Sequence, residues 1–356
     1  IACYGRCGDW RAALDALEDM FESELAPDEV SLNAAIHACA SAGEVGAAAR
    51  VFEVGFARAG CYPTRVTFNS LLRASHAAAK KRRSGAPLSE DEDARDRAST
   101  VQRVREILQK MAQCGERPDD VTVNSALSAY GACGAVDSAK RLFSGALRDG
   151  TATTVTANAY LNALAVAGDA RQAADVLRRT LPESGVRADA TSWNTAIAAC
   201  AGVDASLAEE LLDAMPPHFG DRSSYAYASA LAGVDRARGA DAAKRLLRRA
   251  DDAGAATTVV LNAALAALDR CGDFAGVRQL LETGFEARGV SADAVSWNTA
   301  LWSLARPEHA PHEALEVFEA MVAGRARAPP PDSRSYGAAV AAAAQSGDHE
   351  AAPDLL

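Results

Sequence analysis

The chain has 356 residues, 49% apolar, 24% charged and only 6% aromatic, with Ala very frequent and just 13 Pro. That suits two ordinary domains or one elongated array, built of helices with small interdigitating side chains rather than short strands rich in Val, Ile and Tyr. No run approaches the roughly 18 apolar residues of a membrane span. The eight Cys are too sparse for a disulfide scaffold and form no CxxC pair, and a formal charge of −10 with a pI near 5.2 argues against broad polyanion binding.

The chain opens on Ile1 in a helical pattern and stops at Leu356 inside another, so it reads as a fragment. One phrase then recurs: Val30-Ser31-Leu32-Asn33, Val66-Thr67-Phe68-Asn69, Val121-Thr122-Val123-Asn124, Val155-Thr156-Ala157-Asn158, Thr191-Ser192-Trp193-Asn194, Val259-Val260-Leu261-Asn262 and Val295-Ser296-Trp297-Asn298. Tyr225-Ala226-Tyr227-Ala228 and Arg334-Ser335-Tyr336-Gly337 are degenerate copies. The fourth residues lie 36, 55, 34, 36, 34, 34, 36 and 39 apart, the 55 being one period plus an insertion.

About fifteen residues after the fourth position comes a small residue (Ala48, Ala139, Ala173, Ala208, Ala243, Val277, Ala314, Ala352), displaced to Val104 in the unit with the insertion. An apolar pair follows three and four residues later, as in Val51-Phe52, Leu142-Phe143 and Leu246-Leu247, which sets one stripe on a helix. Gly43, Gly134, Gly168, Gly272 and Gly347 sit before that helix, where a left-handed turn residue belongs. Each unit is therefore a helix, a tight turn and a second helix, closed by a turn such as Pro27-Asp28 or Pro118-Asp119. Stacking such units buries stripes that one pair cannot bury alone. The expected fold is all-α, a right-handed α-solenoid (superhelix) of helix-turn-helix repeats. The units are a partial 1–28, then 29–64, 65–119, 120–153, 154–189, 190–223, 224–257, 258–293 and 294–332, and a partial 333–356. Within 65–119, residues 79–100 read as a mobile charged loop of about 20 residues, basic over Ala79–Gly85 and acidic over Ser89–Asp93. Cys39, Cys133, Cys200 and Cys271 fall late in first helices and read as buried, reduced thiols.

The phrase V-T-x-N, a turn Gly, A-x-x-V-F or A-x-x-L-L, a Met (Met20, Met111, Met215, Met321) and P-D resembles the pentatricopeptide repeat over nearly the whole chain. The resemblance implies binding of single-stranded RNA, one base per repeat. It pairs the base-reading residues as Asn33/Thr64, Asn69/Asp119, Asn124/Thr153, Asn158/Asp189, Asn194/Ser223, Ala228/Thr257, Asn262/Asp293 and Asn298/Asp332. It also implies an apolar wedge against each base at Val30, Val66, Val121, Val155, Thr191, Tyr225, Val259 and Val295. An amide offers donor and acceptor to one base edge and a carboxylate accepts, which suits uracil. By the family's code the target is pyrimidine-rich, roughly Y-U-Y-U-C-x-U-U, with Ala228/Thr257 unassigned. The competing reading of the Asn series is a helix cap or local turn former. Against it, each Asn lies inside the helix beyond the Val-Thr expected to hold the cap, and seven of the eight full units keep the amide.

Acidity cuts the other way, since a phosphate-tracking groove gathers cations. Arg6, Arg73 and Arg270, late in first helices, are candidates to line a groove. Arg50, Arg141, Arg178, Arg179, Arg245, Arg248 and Arg249 read as a solvated outer face. His37, His76, His218, His309, His312 and His349 show no metal-ligand spacing with Cys, and the H-x-E with C-x-x-C signature, a P-loop and a nucleophile elbow are absent. No catalytic residue, metal or cofactor is expected, nor a membrane or small-molecule substrate. Single-stranded RNA is the expected partner, with other protein factors beside it. The family implies organellar RNA metabolism (processing, stability, splicing or translation) in chloroplast or mitochondrion. The alternative is a protein-interaction scaffold using the concave face.

Overall fold

The computed structural model describes the chain apart from residues 24, 84–88, 217–223, 307–310, 326–327 and 347–356, and the side chains of Arg6 and Glu90. Ser223, Gly347, Ala352, His218, His309 and His349 therefore lie outside the described residues. Every regular element among those described is helical. In order they are α1 (Ala2–Cys7), α2 (Trp10–Glu22), α3 (Glu29–Ala42), α4 (Val45–Arg50), α5 (Phe56–Ala59), α6 (Arg65–Arg83), α7 (Glu90–Gln113), α8 (Asp120–Ala132), α9 (Val136–Arg148) and α10 (Thr154–Ala167). Then follow α11 (Ala170–Asp175), α12 (Leu181–Ser184), α13 (Ala190–Ala201), α14 (Ala205–Ala214), α15 (Ser224–Ala232) and α16 (Ala240–Asp252). The last are α17 (Thr258–Cys271), α18 (Phe274–Gln279), α19 (Ala294–Leu304), α20 (Pro311–Val322) and α21 (Ser333–Ser346). Single π turns, Val51–Gly55 and Val176–Thr180, join α4 to α5 and α11 to α12, and a third, Leu280–Gly284, extends α18.

The helices form two compact units, Ile1–Thr195 and Ala196–Leu356. In the first, α6 packs between α3 and α8, and α8 packs on α10. In the second, α15, α17, α19 and α21 pack in succession. These first helices are apolar nearly all round: α10 buries Ala157, Tyr160, Leu161, Ala163 and Leu164. Second helices are two-faced. α16 buries Ala242, Ala243, Leu246, Leu247 and Ala250 at helical spacing while Arg245 and Arg248 stay in water. The small residues read from the sequence fill the seam between helices: Ala48, Val104, Ala139, Ala173, Ala208, Ala243, Val277 and Ala314 are at most 1% exposed. Closeness has a limit at Gly131, where an added Cβ would stand 2.9 Å from Ala163 Cβ. Cys39 and Cys200 are fully buried and Cys133 nearly so, and burial pushes the Cys39 thiol up to about 11.

Two sequence expectations are corrected. The charged insertion is not a loop of about 20 residues: α6 runs on to Arg83 and α7 begins at Glu90, leaving only 84–88 outside the described residues. Ala77, Ala78, Ala79 and Lys80 are strong helix formers. Ser89 and Glu92 make a capping box at the start of α7, and the acidic run suits the positive end of that helix. Arg82 then donates to Asp96 and to Thr100 Oγ1, tying the two extensions together. The mixed charge that resembled disorder is pairing between and along helices.

The second correction concerns the caps. The helix start is capped not within the Val-Thr pair but by the last residue of the preceding unit. Asp28, Asp119, Thr153 and Asp293 each accept from the backbone N–H three residues on. Gly43 and Gly168 close α3 and α10 in the left-handed region, at φ 74° and 73°, where a Cβ is costly.

Candidate functional site

The capping geometry fixes what each first helix presents. In α8 the cap is Asp119, and Val121, Thr122 and Asn124 follow on the first turns. Val121 and Asn124 are three apart and so adjacent on one face, while Thr122 and Val123 point into the stack. The same layout puts Val30, Val66, Val155, Val259, Val295 and Tyr225 in water with Val121, between 45% and 73% exposed. Thr191 is exposed too. Of their immediate successors, Thr67, Thr122, Thr156, Ser192 and Ser296 are fully buried, while Ser31 is half-buried.

The amides lie one turn deeper, half-buried except for Asn298, which is 8% exposed. They are engaged between layers. The buried hydroxyls of Thr67, Thr122, Ser192, Ser296 and Ser335 donate to the Oδ1 atoms of Asn33, Asn69, Asn158, Asn262 and Asn298 at 2.5–2.8 Å. Asn158 Nδ2 donates to Asp189 at 3.2 Å, Asn262 Nδ2 to Asp293 at 3.1 Å, and Asn298 Nδ2 to both oxygens of Asp332 at 3.2 and 3.0 Å. Ser192, Ser296 and Ser335 thus each hold an amide oxygen while the cap carboxylate of the same helix takes the amide nitrogen.

This ladder brings Asn158/Asp189, Asn262/Asp293 and Asn298/Asp332 into direct contact. Asn69 and Asp119 share Thr122 as a partner. Asn33 and Thr64 are bridged by Glu29 Oε1, which accepts from both at 3.2 and 2.7 Å. Asn124 and Thr153 are not joined: the Thr156 hydroxyl pairs with Thr153 Oγ1, and Asn124 Oδ1 is buried with no partner. Ala228 has no amide to offer, and Thr257 Oγ1 is buried without a partner. The buried residue two before Asn262 is correspondingly Val260, a methyl-bearing side chain in place of a hydroxyl. Ser223, paired with Asn194 in the sequence reading, lies outside the described residues.

The ladder carboxylates are held ionised. Burial works against the charge of Asp189 and Asp293, but donors from Ser192 and Asn158, and from Ser296 and Asn262, outweigh it and keep both below the usual carboxylate range. Asp119 is lowered in the same way, burial being outweighed by Thr122, Asn69 and the charge of Arg65. The exposed edge therefore alternates apolar side chains with amide–carboxylate pairs. Apolar surface suits a flat ring face, and the polar pair suits the donors on that ring's edge.

The buried hydroxyls of Thr67, Thr122, Thr156, Ser192 and Ser296, two places before their Asn residues, are functional positions beyond those the sequence reading names. Their signal was there, in the second letter of V-T-x-N.

Family profiles match the chain twice over, the PPR repeat at residues 1–25 and 121–151 and the pentatricopeptide repeat domain at 15–76. Residues 1–76 and 121–151 carry pentatricopeptide repeats. No curated protein matches it. Among solved structures, it is similar to the pentatricopeptide repeat protein PPR10 in complex with an 18-nt psaJ RNA element, at 19% identity and TM-score 0.46. It is similar to PPR10 from maize at 19% identity and TM-score 0.37. Each comparison covers 99% of this chain and 57% of the other, so the pentatricopeptide array spans little over half the length of those chains.

Cations along the first helices of this pentatricopeptide array are few and partly committed. Arg270, a groove candidate from its position, donates instead to the carbonyls of Leu231, Ala232 and Val234 at the end of α15. Arg306 pairs with Asp269 at 3.0 Å. Arg73 is exposed, and His37 nearby is kept neutral at pH 7 by burial and then by the Arg73 charge. On second helices, Arg249 pairs with Glu209 and Asp213. Among the described residues no group of His, Cys, Asp and Glu could hold a metal ion. No described helix is long and apolar enough to cross a membrane.

Proposed function

We propose that the chain binds single-stranded RNA selectively, one base per repeat, with a pyrimidine-rich target, and serves organellar RNA metabolism by binding rather than catalysis. The observation that carries this reading is the stripe of exposed apolar side chains, Val30 to Val295, kept in register with the amide–carboxylate pairs. A packed array has no stability reason to leave a valine or tyrosine in water at the same position of each layer. A base stacked on each valine would meet the Asn and Asp of that layer at its edge, and uracil N3–H matches the ionised acceptor of Asp189 or Asp293. The pentatricopeptide repeat matches support the same reading, and placement in chloroplast or mitochondrion rests on that resemblance alone.

The net charge of −10 and the capping role of Arg270 favour a second reading, a protein-binding scaffold on the same surface. Titration of labelled uridine-rich and adenosine-rich oligonucleotides at several salt concentrations separates the two. RNA binding predicts saturable, salt-weakened binding that favours pyrimidines. Val66→Asp should weaken it while leaving the thermal unfolding midpoint within the narrow range of an exposed substitution, about ±0.5 kcal/mol. Purine preference rejects the code, and no saturable binding leaves the scaffold.

A further inference from the structure

The edge that holds the amides also carries the carboxylates of Glu29, Asp119 and Asp189, so a polyanionic strand laid there must send its phosphates elsewhere. Within the first unit one concavity offers a place. It spans three successive first helices, with Ser41 on α3, Arg73 and His76 on α6, and Asn124, Ser125 and Ser128 on α8, about 490 Å³ in volume. No carboxylate lines it.

Ser41 Oγ donates to the His37 carbonyl, but Arg73, His76 and Asn124 keep polar groups unspent. Arg73 is exposed and makes no ion pair or hydrogen bond, unlike Arg65, Arg82, Arg97 and Arg105 around it. His76 Nδ1 is buried without a partner, and so is Asn124 Oδ1, whose neighbouring hydroxyl is taken by Thr153. Buried polar atoms without partners are costly, and two on residues beside one cleft set this layer apart. The cleft's two ends differ in kind. A guanidinium fork with an imidazole and serine hydroxyls suits a phosphate. The amide oxygen suits a ring N–H donor.

We infer that this cleft holds one nucleotide of the bound strand, its phosphodiester on Arg73 and His76 and its base edge on Asn124. The inference rests on the RNA-binding reading above and adds a backbone anchor that the amide series does not supply. It makes this layer a point where the strand's charge is neutralised, whereas the described groove candidate Arg270 is occupied within the protein.

The test is the salt dependence of single-stranded RNA binding by the full chain and three variants, Arg73→Gln, His76→Gln and, as a control on an exposed second-helix face, Arg179→Gln. Loss of one phosphate contact should lower the slope of log affinity against log salt by about 0.7 in Arg73→Gln, equally for every RNA sequence, with Arg179→Gln unchanged. Arg73 has no partner to lose, so unchanged thermal unfolding confirms that the variant is folded. An unchanged slope in Arg73→Gln and His76→Gln, while wild type binds RNA and Asn262→Ala blunts its base preference, overturns the anchor and leaves the RNA reading standing. Absence of RNA binding by wild type overturns both. Inorganic phosphate alone, followed by the His76 imidazole signal in NMR spectra, separates a free-anion site. Saturation by phosphate that RNA fails to displace overturns the strand anchor.

Discussion

The hydroxyl at Ser296 does three things at once. It donates to Asn262 Oδ1 at 2.5 Å and to Asp293 Oδ1 at 2.9 Å, and it accepts from the Asp293 backbone N–H at 3.0 Å. Its removal leaves a buried amide oxygen without a donor, so Ser296→Ala should cost about 1–3 kcal/mol in chemical denaturation. A cost near zero would mean that the amide turns freely and is not preset for a ligand. The carboxylates set a pH window. Asp119, Asp189 and Asp293 have native pKa values below their ordinary ones, so their contribution is whole above the unfolded value near 4 and is lost as pH falls through the lowered native values. The unfolding midpoint should hold from neutrality to about pH 5 and then drop, with Asp293→Asn blunting the acid limb. What the sequence concealed at this scale was double duty. Asp293 is legible as the last letter of its unit, but a cap and an amide partner look alike in one letter of text, and only the geometry shows that it is both.

At the scale of elements, the 3.6-residue stripes and the turn glycines specified the hairpins because those signals are local. The buried seam from Ala48 to Ala314 follows directly from that spacing. The insertion was misread because its signals compete. Lys80 to Arg83 and Asp91 to Asp93 are charge runs, which unpaired chains keep disordered, yet Arg82 finds Asp96 and Arg97 finds Asp93. Pairing across a hairpin is a tertiary fact that composition does not carry. Close approach is another. Gly131 is an unremarkable residue in the α8 sequence, but Ala163 of α10 stands where its side chain would be. Gly131→Val should force α8 from α10 and cost about 1–3 kcal/mol, read from the unfolding midpoint. An unchanged midpoint would show that the two helices slide apart without penalty.

Over the whole molecule the charge balance and the repeat pull in opposite directions, and position resolves the tension. The net charge of −10 is an average. Much of the positive charge is spent on second helices, where Arg278 pairs with Glu282, Glu313 and Glu316 and Arg288 with Asp251. The exposed valines and the amide ladder share the other face of the hairpins, and there the repeat phrase was legible in full, because each copy repeats the same chemistry at the same turn. The layer that breaks the phrase, Ala228 with Val260, breaks it in both members of one hydrogen bond. Selection of bound RNA from a randomised pool, run on the wild-type chain and on Asn69→Ala and Asn262→Ala, tests whether these layers read bases. The expected outcome is a pyrimidine-rich consensus in which each variant loses preference at one position, the two lost positions being five apart in the target with four bases between them. A consensus that both variants leave intact, or lose uniformly, would contradict it.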